Sequence, residues 1–211
     1  MSEKAMVDEI RLIINAGIDT VSLVISLGMY FLTKHSRVYK KLQKLLDEKF
    51  PDRKFNHAKV ISVEYLDAII MEALRLYPPA IAGTPRQIPK EGMSIAGRFI
   101  PGDVVVSVPP YTMNRHPDFW LEPDEFVLER WTAAGEHLAK DRAVCLPFSM
   151  GTYRCPGKEF AMMQLRTLFS EVAMNFDVAF ADPVQAEGYE RGMKDYFTLY
   201  APALCMKFSP R

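Results

Sequence analysis

Residues 147–157 read PFSMGTYRCPG, and this segment does most to decide the fold. Pro156 is placed to begin a helix, because proline is favoured at the first helical position. Apolar residues return at helical spacing over 158–175, so a helix is predicted there. Cys155 would then lie at a helix N-terminus beside Arg154, and both features favour the thiolate form of its side chain.

A thiolate in this position can act as a nucleophile or as a metal ligand. A cysteine nucleophile needs a histidine base, and none of the four histidines lies in a recognisable local motif. Zinc needs four nitrogen or sulfur ligands, and no second cysteine lies within a few residues of Cys155. A lone thiolate in a glycine-rich loop fits a single axial haem ligand better. On this loop alone, a buried structural cysteine remains the alternative.

The composition is that of an ordinary globular protein. The chain has 211 residues, of which 49% are hydrophobic, so intrinsic disorder is excluded. It carries 26 Lys and Arg against 26 Asp and Glu, and this zero net charge argues against a general nucleic-acid binder. Three cysteines are too few for a disulfide framework.

An apolar run, LIINAGIDTVSLVISLGMYFL, occupies residues 12–32 and is long enough to cross a bilayer. Asp19 stands near its middle, where a charge is costly in lipid. We therefore predict a long buried helix over 3–33, capped by Ser2. A buried pair of Asp19 and Thr20 would need polar partners.

Periodicity and turn residues predict the other elements. In chain order they are a helix over 37–48, a helix over 63–76, a hairpin over about 93–108, an irregular stretch over 111–147, and short strands in the last 35 residues.

Four short segments occur along the chain in a fixed order. They are AGIDT (16–20), EALR (72–75), ERW (129–131) and FSMGTYRCPG (148–157). In this combination they resemble the cytochrome P-450 family, the haem-thiolate monooxygenases. The resemblance implies a mainly α fold with small β-sheets. Residues 1–211 would form a partial domain, the C-terminal half of that fold, with a long distal helix, an E-x-x-R helix, a β-hairpin, a meander, a cysteine-ligand loop and a last helix.

The resemblance assigns a haem b cofactor to the cysteine loop. Cys155 would be the proximal ligand of the iron, and Phe148 would pack beside the ligand loop. Gly151 and Gly157 would let the backbone approach the porphyrin closely. Arg86 resembles an arginine that pairs with a haem propionate.

The resemblance also assigns a catalytic pair on the long helix. Asp19 and Thr20 look like the distal acid and alcohol that organise water and deliver protons to dioxygen. Ala16 and Gly17 would form the groove where oxygen sits.

Three charged residues match a structural triad of the family. Glu72 and Arg75 are three residues apart, so they share one helix face and can pair. By resemblance Arg130 completes a buried triad that ties the third helix to the meander.

The chain departs from the family pattern in two ways. The family loop carries an arginine that contacts a haem propionate two residues before the cysteine, where this chain has Tyr153, which could bind the cofactor through one hydrogen bond but offers no charge. The family also has about twice as many residues, and its missing half would carry the membrane anchor and most of the substrate specificity.

The function implied is dioxygen activation at a haem held by Cys155, to hydroxylate a lipophilic small molecule with electrons from a flavoprotein reductase. No nucleic-acid partner is expected. Full-length relatives would be held in the endoplasmic reticulum membrane, facing the cytosol, by an anchor absent here, so the location of this chain stays open. The alternatives are a peroxide-rearranging member of the same fold, which an intact Asp19–Thr20 pair disfavours, and a non-catalytic fragment that binds haem or a partner.

Overall fold

The computed structural model describes residues 2–211. The described chain is mainly helical, with four small sheets of two antiparallel strands each. This confirms the predicted fold class at the level of a mainly α protein with small β-sheets.

The long N-terminal helix, α1, runs over Glu3–Lys34, and Ser2 Oγ accepts a hydrogen bond from the amide of Ala5 at 3.2 Å. Every buried residue of α1 lies between Leu23 and Leu32. The expectation of a helix buried along its whole length is therefore wrong for its first half, whose apolar side chains no other described element covers. By length and composition α1 could cross a membrane, a test that core helices of soluble proteins also pass.

The core forms where α1 crosses the last long helix. Helix α2 covers Ser36–Lys49, α3 His57–Val60, α4 Glu64–Leu76 and α6 Lys158–Asn175. A Cβ placed on Gly28 of α1 would lie 2.3 Å from the ring of Phe169 on α6, so glycine lets these helices approach closely. Buried leucines and isoleucines of α2 and α4 complete this core.

The predicted hairpin over 93–108 is wrong in its second half. Strands β2 (Met93–Ile95) and β3 (Arg98–Ile100) pair with each other around the turn at Ala96 and Gly97, which both have positive φ. Strand β4 (Val105–Val106) pairs instead with β1 (Arg86–Gln87). A left-handed residue at Asp103, whose amide donates to the Ile88 carbonyl, turns the chain toward β1.

The stretch predicted as irregular contains short helical turns. They are α5 (Pro110–Met113) and 3-10 turns at Leu128–Trp131, Ala133–Leu138 and Arg142–Val144.

The C-terminal segment forms two hairpin-like sheets, as short strands were predicted there. Strand β5 (Phe176–Phe180) pairs with β8 (Met206–Pro210), and β6 (Lys194–Tyr196) pairs with β7 (Thr198–Tyr200). Between the sheets lie α7 (Pro183–Gly188) and a 3-10 turn at Glu190–Gly192.

Candidate functional site

The cysteine segment folds back on itself in a short loop. The amide of Cys155 donates to the carbonyl of Phe148 at 2.8 Å, and the amide of Arg154 donates to the carbonyl of Gly151 at 3.2 Å. Gly151 has a φ of +71°, in the left-handed region that favours glycine, and a Cβ there would meet no atom within 4 Å. The ring of Phe148 is half-buried against the main core. The loop is thus closed by backbone hydrogen bonds and attached to the core on one side, while Gly151 adds no side chain to its outer surface.

The thiol of Cys155 is exposed just before α6. Helix α6 begins at Lys158 with Gly157 as its cap, so the expectation that Pro156 opens the helix is wrong by two residues. The cap conformation at Gly157 (φ −85°, ψ 4°) delays the helical turn. A Cβ on Gly157 would stand 3.8 Å from Cys155 Sγ, so glycine keeps the space beside the sulfur free.

A buried ionic cluster lies near the C-terminal end of α4. Glu72, Arg75 and Arg130 are each 0% exposed. The Glu72 carboxylate accepts two hydrogen bonds from Arg75, at 2.9 and 2.8 Å, and one from Arg130 Nε at 3.2 Å. The structure therefore brings the three residues of the expected triad together.

The two arginines also donate to backbone carbonyls of the segment over 110–147. Arg75 reaches the carbonyls of Asn114, Pro123 and Glu125 at 2.6 to 3.0 Å. Arg130 reaches those of Leu121, Glu122 and Leu138. Because buried carbonyls need donors, these contacts tie the irregular segment to the two arginines, and they supply donors to four carbonyls for which the segment itself supplies none; those of Glu122 and Leu138 also accept a backbone amide.

Trp131 is a fourth member of this cluster. Its indole Nε1 donates to Glu72 at 2.9 Å, and the amide of Val127 donates to the same carboxylate at 3.0 Å. In the sequence, Trp131 was part of the ERW segment, and no contact was predicted for it. The sequence did hold a signal for this contact: Trp131 directly follows Arg130, so its indole N–H is a hydrogen-bond donor next to the triad.

Arg86 and Tyr153 meet at the edge of the cysteine loop. The guanidinium carbon of Arg86 lies 4.8 Å from the centre of the Tyr153 ring. Arg86 Nη1 also donates to the carbonyl of Pro85 at 3.1 Å, and both side chains are exposed. Arg86, which the sequence predicted for this site, is therefore stacked on Tyr153, the residue at the position where the family carries an arginine.

The candidate residues on α1 form a separate group. Thr20 Oγ1 donates to the carbonyl of Ala16 at 2.7 Å, within the helix. Asp19 is exposed rather than buried, which corrects the expectation of a buried acid and alcohol pair. A Cβ on Gly17 would meet no atom within 4 Å, so this part of the helix surface is open.

Comparison with known proteins places the chain in one family. A family model described as cytochrome P-450 matches residues 1–199. The cytochrome P-450 monooxygenase eupD of a Phoma species is 39% identical over all of this chain and 73% of its own length. The cytochrome P-450 monooxygenase orf5 of Eupenicillium brefeldianum is 40% identical over 95% of this chain, and the fusicoccadiene 8-ol C-16-hydroxylase of Phomopsis amygdali is 32% identical over 96% of it. This chain spans only 40% and 38% of the length of those two relatives.

The buried cluster yields a stability prediction. Replacing Arg75 with leucine removes five hydrogen bonds and leaves the Glu72 charge and three carbonyls short of donors. We expect the free energy of unfolding, measured by urea titration, to fall by about 3–5 kcal/mol, because a buried ion pair is broken and three buried carbonyls lose the Arg75 donor, while Arg130 stays as the one ionic partner of Glu72.

The matched control is Arg166→Leu. Arg166 forms a two-fold ion pair with Asp67, but its side chain is 14% and that of Asp67 31% exposed. Its loss should cost about 1 kcal/mol or less. A loss in Arg75→Leu no larger than in the control would contradict the role given to the buried cluster.

Proposed function

Because the chain belongs to the cytochrome P-450 family, we propose that residues 1–211 form the C-terminal part of a haem-thiolate monooxygenase domain. The order of elements supports this proposal: a long helix, a helix with E-x-x-R, a hairpin, a meander-like segment, the cysteine loop and a last long helix. The fraction of most relatives that the chain spans also supports a partial domain.

The observation that carries the proposal is the exposed thiol of Cys155 in a closed glycine loop. Among residues 2–211 no group of three or more His, Cys, Asp or Glu side chains could hold a metal ion by itself. A single protein ligand suits haem b, because the porphyrin supplies the other in-plane donors. The open space at Gly151 and beside Cys155 leaves room for a flat ring. The residues present therefore fit a haem bound through Cys155.

A haem bound through a thiolate supplies dioxygen activation and O–O bond cleavage. The overall reaction converts a C–H bond, dioxygen, two electrons and two protons into a hydroxylated product and water. We assign the electrons to a flavoprotein reductase and the substrate to the lipophilic class. The hydroxylase named among the relatives acts on fusicoccadiene 8-ol, by its name.

The chain's own residues can supply the protons. Thr20 Oγ1 uses its hydrogen in the bond to Ala16, so its lone pairs remain free to accept a hydrogen bond from water. Asp19 is exposed and can exchange protons with solvent. We assign to Thr20 Oγ1 the holding of a water molecule, and to Asp19 the relay of protons from solvent.

A non-catalytic chain is the second candidate. It is favoured by the first half of α1, where Ile13 is 71% and Ile18 is 60% exposed, because such a surface in isolation favours association. Full-length relatives are proposed to reside at the endoplasmic reticulum membrane. The location of this chain depends on which of the two candidate functions is correct.

Haem reconstitution distinguishes the two candidates. The chain is mixed with haemin, reduced with dithionite and exposed to carbon monoxide. We expect the absorption spectrum of the thiolate-ligated form in the wild type and in the control variant Cys205→Ser, whose thiol is also exposed. We expect Cys155→Ser to lose it. Absence of the thiolate form in the wild type would instead support the non-catalytic chain.

The contact between Arg86 and Tyr153 predicts how tightly haem is held. We propose that Arg86 pairs with a haem propionate and that the Tyr153 ring holds its guanidinium in place. Loss of haem to apomyoglobin should be roughly 10-fold or more faster in Arg86→Leu, since hydrogen bonds to charged groups contribute about 1.5–3 kcal/mol. Tyr153→Leu should lose haem about 2- to 5-fold faster, in line with an exposed cation–π contact.

Tyr153→Phe is the matched control, because it keeps the ring and should retain haem like the wild type. In the double variant Arg86→Leu, Tyr153→Leu, the second change should add nothing. Fully additive effects would show that Tyr153 does not act through Arg86.

A further inference from the structure

Three side chains from two helices converge on one carboxylate outside the site described above. Glu190 Oε1 accepts hydrogen bonds from the Tyr30 hydroxyl at 2.7 Å and from Lys34 Nζ at 2.6 Å. Glu190 Oε2 accepts one from the Tyr77 hydroxyl at 2.7 Å. Tyr30 and Lys34 belong to α1, while Tyr77 caps the end of α4. No motif in the sequence marked this residue.

The surroundings keep this carboxylate charged. Burial opposes ionisation of Glu190, but donation from Lys34, Tyr30 and Tyr77 outweighs it and lowers the pKa of the carboxyl. Burial and the bond to Glu190 raise the pKa of the Tyr77 hydroxyl, which therefore stays protonated and continues to donate. Charge-assisted bonds of this length are among the stronger hydrogen bonds in proteins.

Glu190 leads directly into the hairpin of β6 and β7. A second contact holds strand β7, because the amide of Leu199 in the middle of the hairpin donates to the carbonyl of Pro79 at 2.8 Å and its side chain is buried. The tip is exposed: Tyr196 is 69% and Phe197 is 73% exposed, and Phe197 has a φ of +76°. A fixed base thus presents two aromatic rings that no other described element covers.

The same carboxylate joins three segments of the chain. It binds α1 about ten residues beyond Thr20, it binds Tyr77 just before Ile81, and it begins the approach to the hairpin tip. We propose that Glu190 is a positioning residue that sets where the Tyr196–Phe197 tip stands relative to α1 and the end of α4. This proposal rests on the proposed function in one respect, namely that the tip contacts an apolar ligand of the haem site.

Hydrogen exchange tests the positioning without haem. In Glu190→Ala, amides over 193–200 should exchange roughly tenfold faster or more, because the hairpin loses one of its two anchors. Amides of α6 should keep their wild-type rates. The matched control Glu187→Ala changes an exposed glutamate three residues earlier and should leave the hairpin unchanged. Equal exchange at the hairpin in both variants would overturn the proposal.

If Glu190→Ala fails to fold, Tyr77→Phe replaces it, because it removes one donor and keeps the ring. The hairpin should still exchange faster than in the control Tyr196→Phe, whose hydroxyl lies on the exposed tip. Wild-type exchange in Tyr77→Phe would count against the proposal.

A second measurement asks whether the tip position affects ligands. In the haem-loaded chain, the ratio of the Kd values of 1-phenylimidazole and imidazole is read from the absorbance change. If the tip contacts the larger ligand, Glu190→Ala should shift this ratio by about threefold or more, while Glu187→Ala should not. An unchanged ratio beside faster hairpin exchange would refute the ligand contact. A wild-type chain without the thiolate-ligated form would refute the proposed function instead, and hydrogen exchange would still decide the positioning.

Discussion

The buried carboxylate of Glu72 is the group on which the rest of the structure depends. It accepts hydrogen bonds from Arg75, Arg130, Trp131 and the amide of Val127, and its side chain has no contact with solvent. A charge so placed is tolerable only when every partner is present. Each of those partners therefore has to be brought to the end of α4 as the chain folds.

This requirement explains how a segment with little regular structure can hold one shape. Residues 110–147 contain only short turns, yet six of their carbonyls accept hydrogen bonds from the two buried arginines. A planar guanidinium with five donors suits this task, because it can serve the carboxylate and several carbonyls at once. The segment leads along the chain into the cysteine loop, which is itself attached to the core through Phe148. Glu190 plays a comparable part on the other side of α4, where one carboxylate fixes the hairpin of β6 and β7.

The features predicted best from the sequence are helix bounds and helix faces, because these depend on the local pattern of apolar and charged residues. The bounds of α6 and nearly those of α1 followed from apolar spacing, and the spacing of Glu72 and Arg75 placed both on one helix face.

Prediction from the sequence failed where contacts between residues far apart in the chain determine the structure. Strand β4 pairs with β1 rather than with β3, and a pairing of only two residues from each strand leaves no periodic pattern in the sequence. Apolar spacing placed the start of α6 correctly at Lys158, whereas the expectation that Pro156 is the first helical residue was wrong, because the cap lies at Gly157. Glu190 had no motif, since its three donors lie more than a hundred residues away in the chain.

The central claim, that Cys155 is the residue that binds haem, can be tested most directly by alkylation of the three cysteines with and without haemin. Cys155 and Cys205 are exposed, while burial raises the pKa of the Cys145 thiol to about 12. In the native chain at pH 8, iodoacetamide should therefore modify Cys155 and Cys205 and spare Cys145. Saturating haemin should slow modification of Cys155 by about tenfold or more and leave Cys205 unchanged. Equal rates at Cys155 with and without haemin, measured by peptide mass spectrometry, would contradict the account.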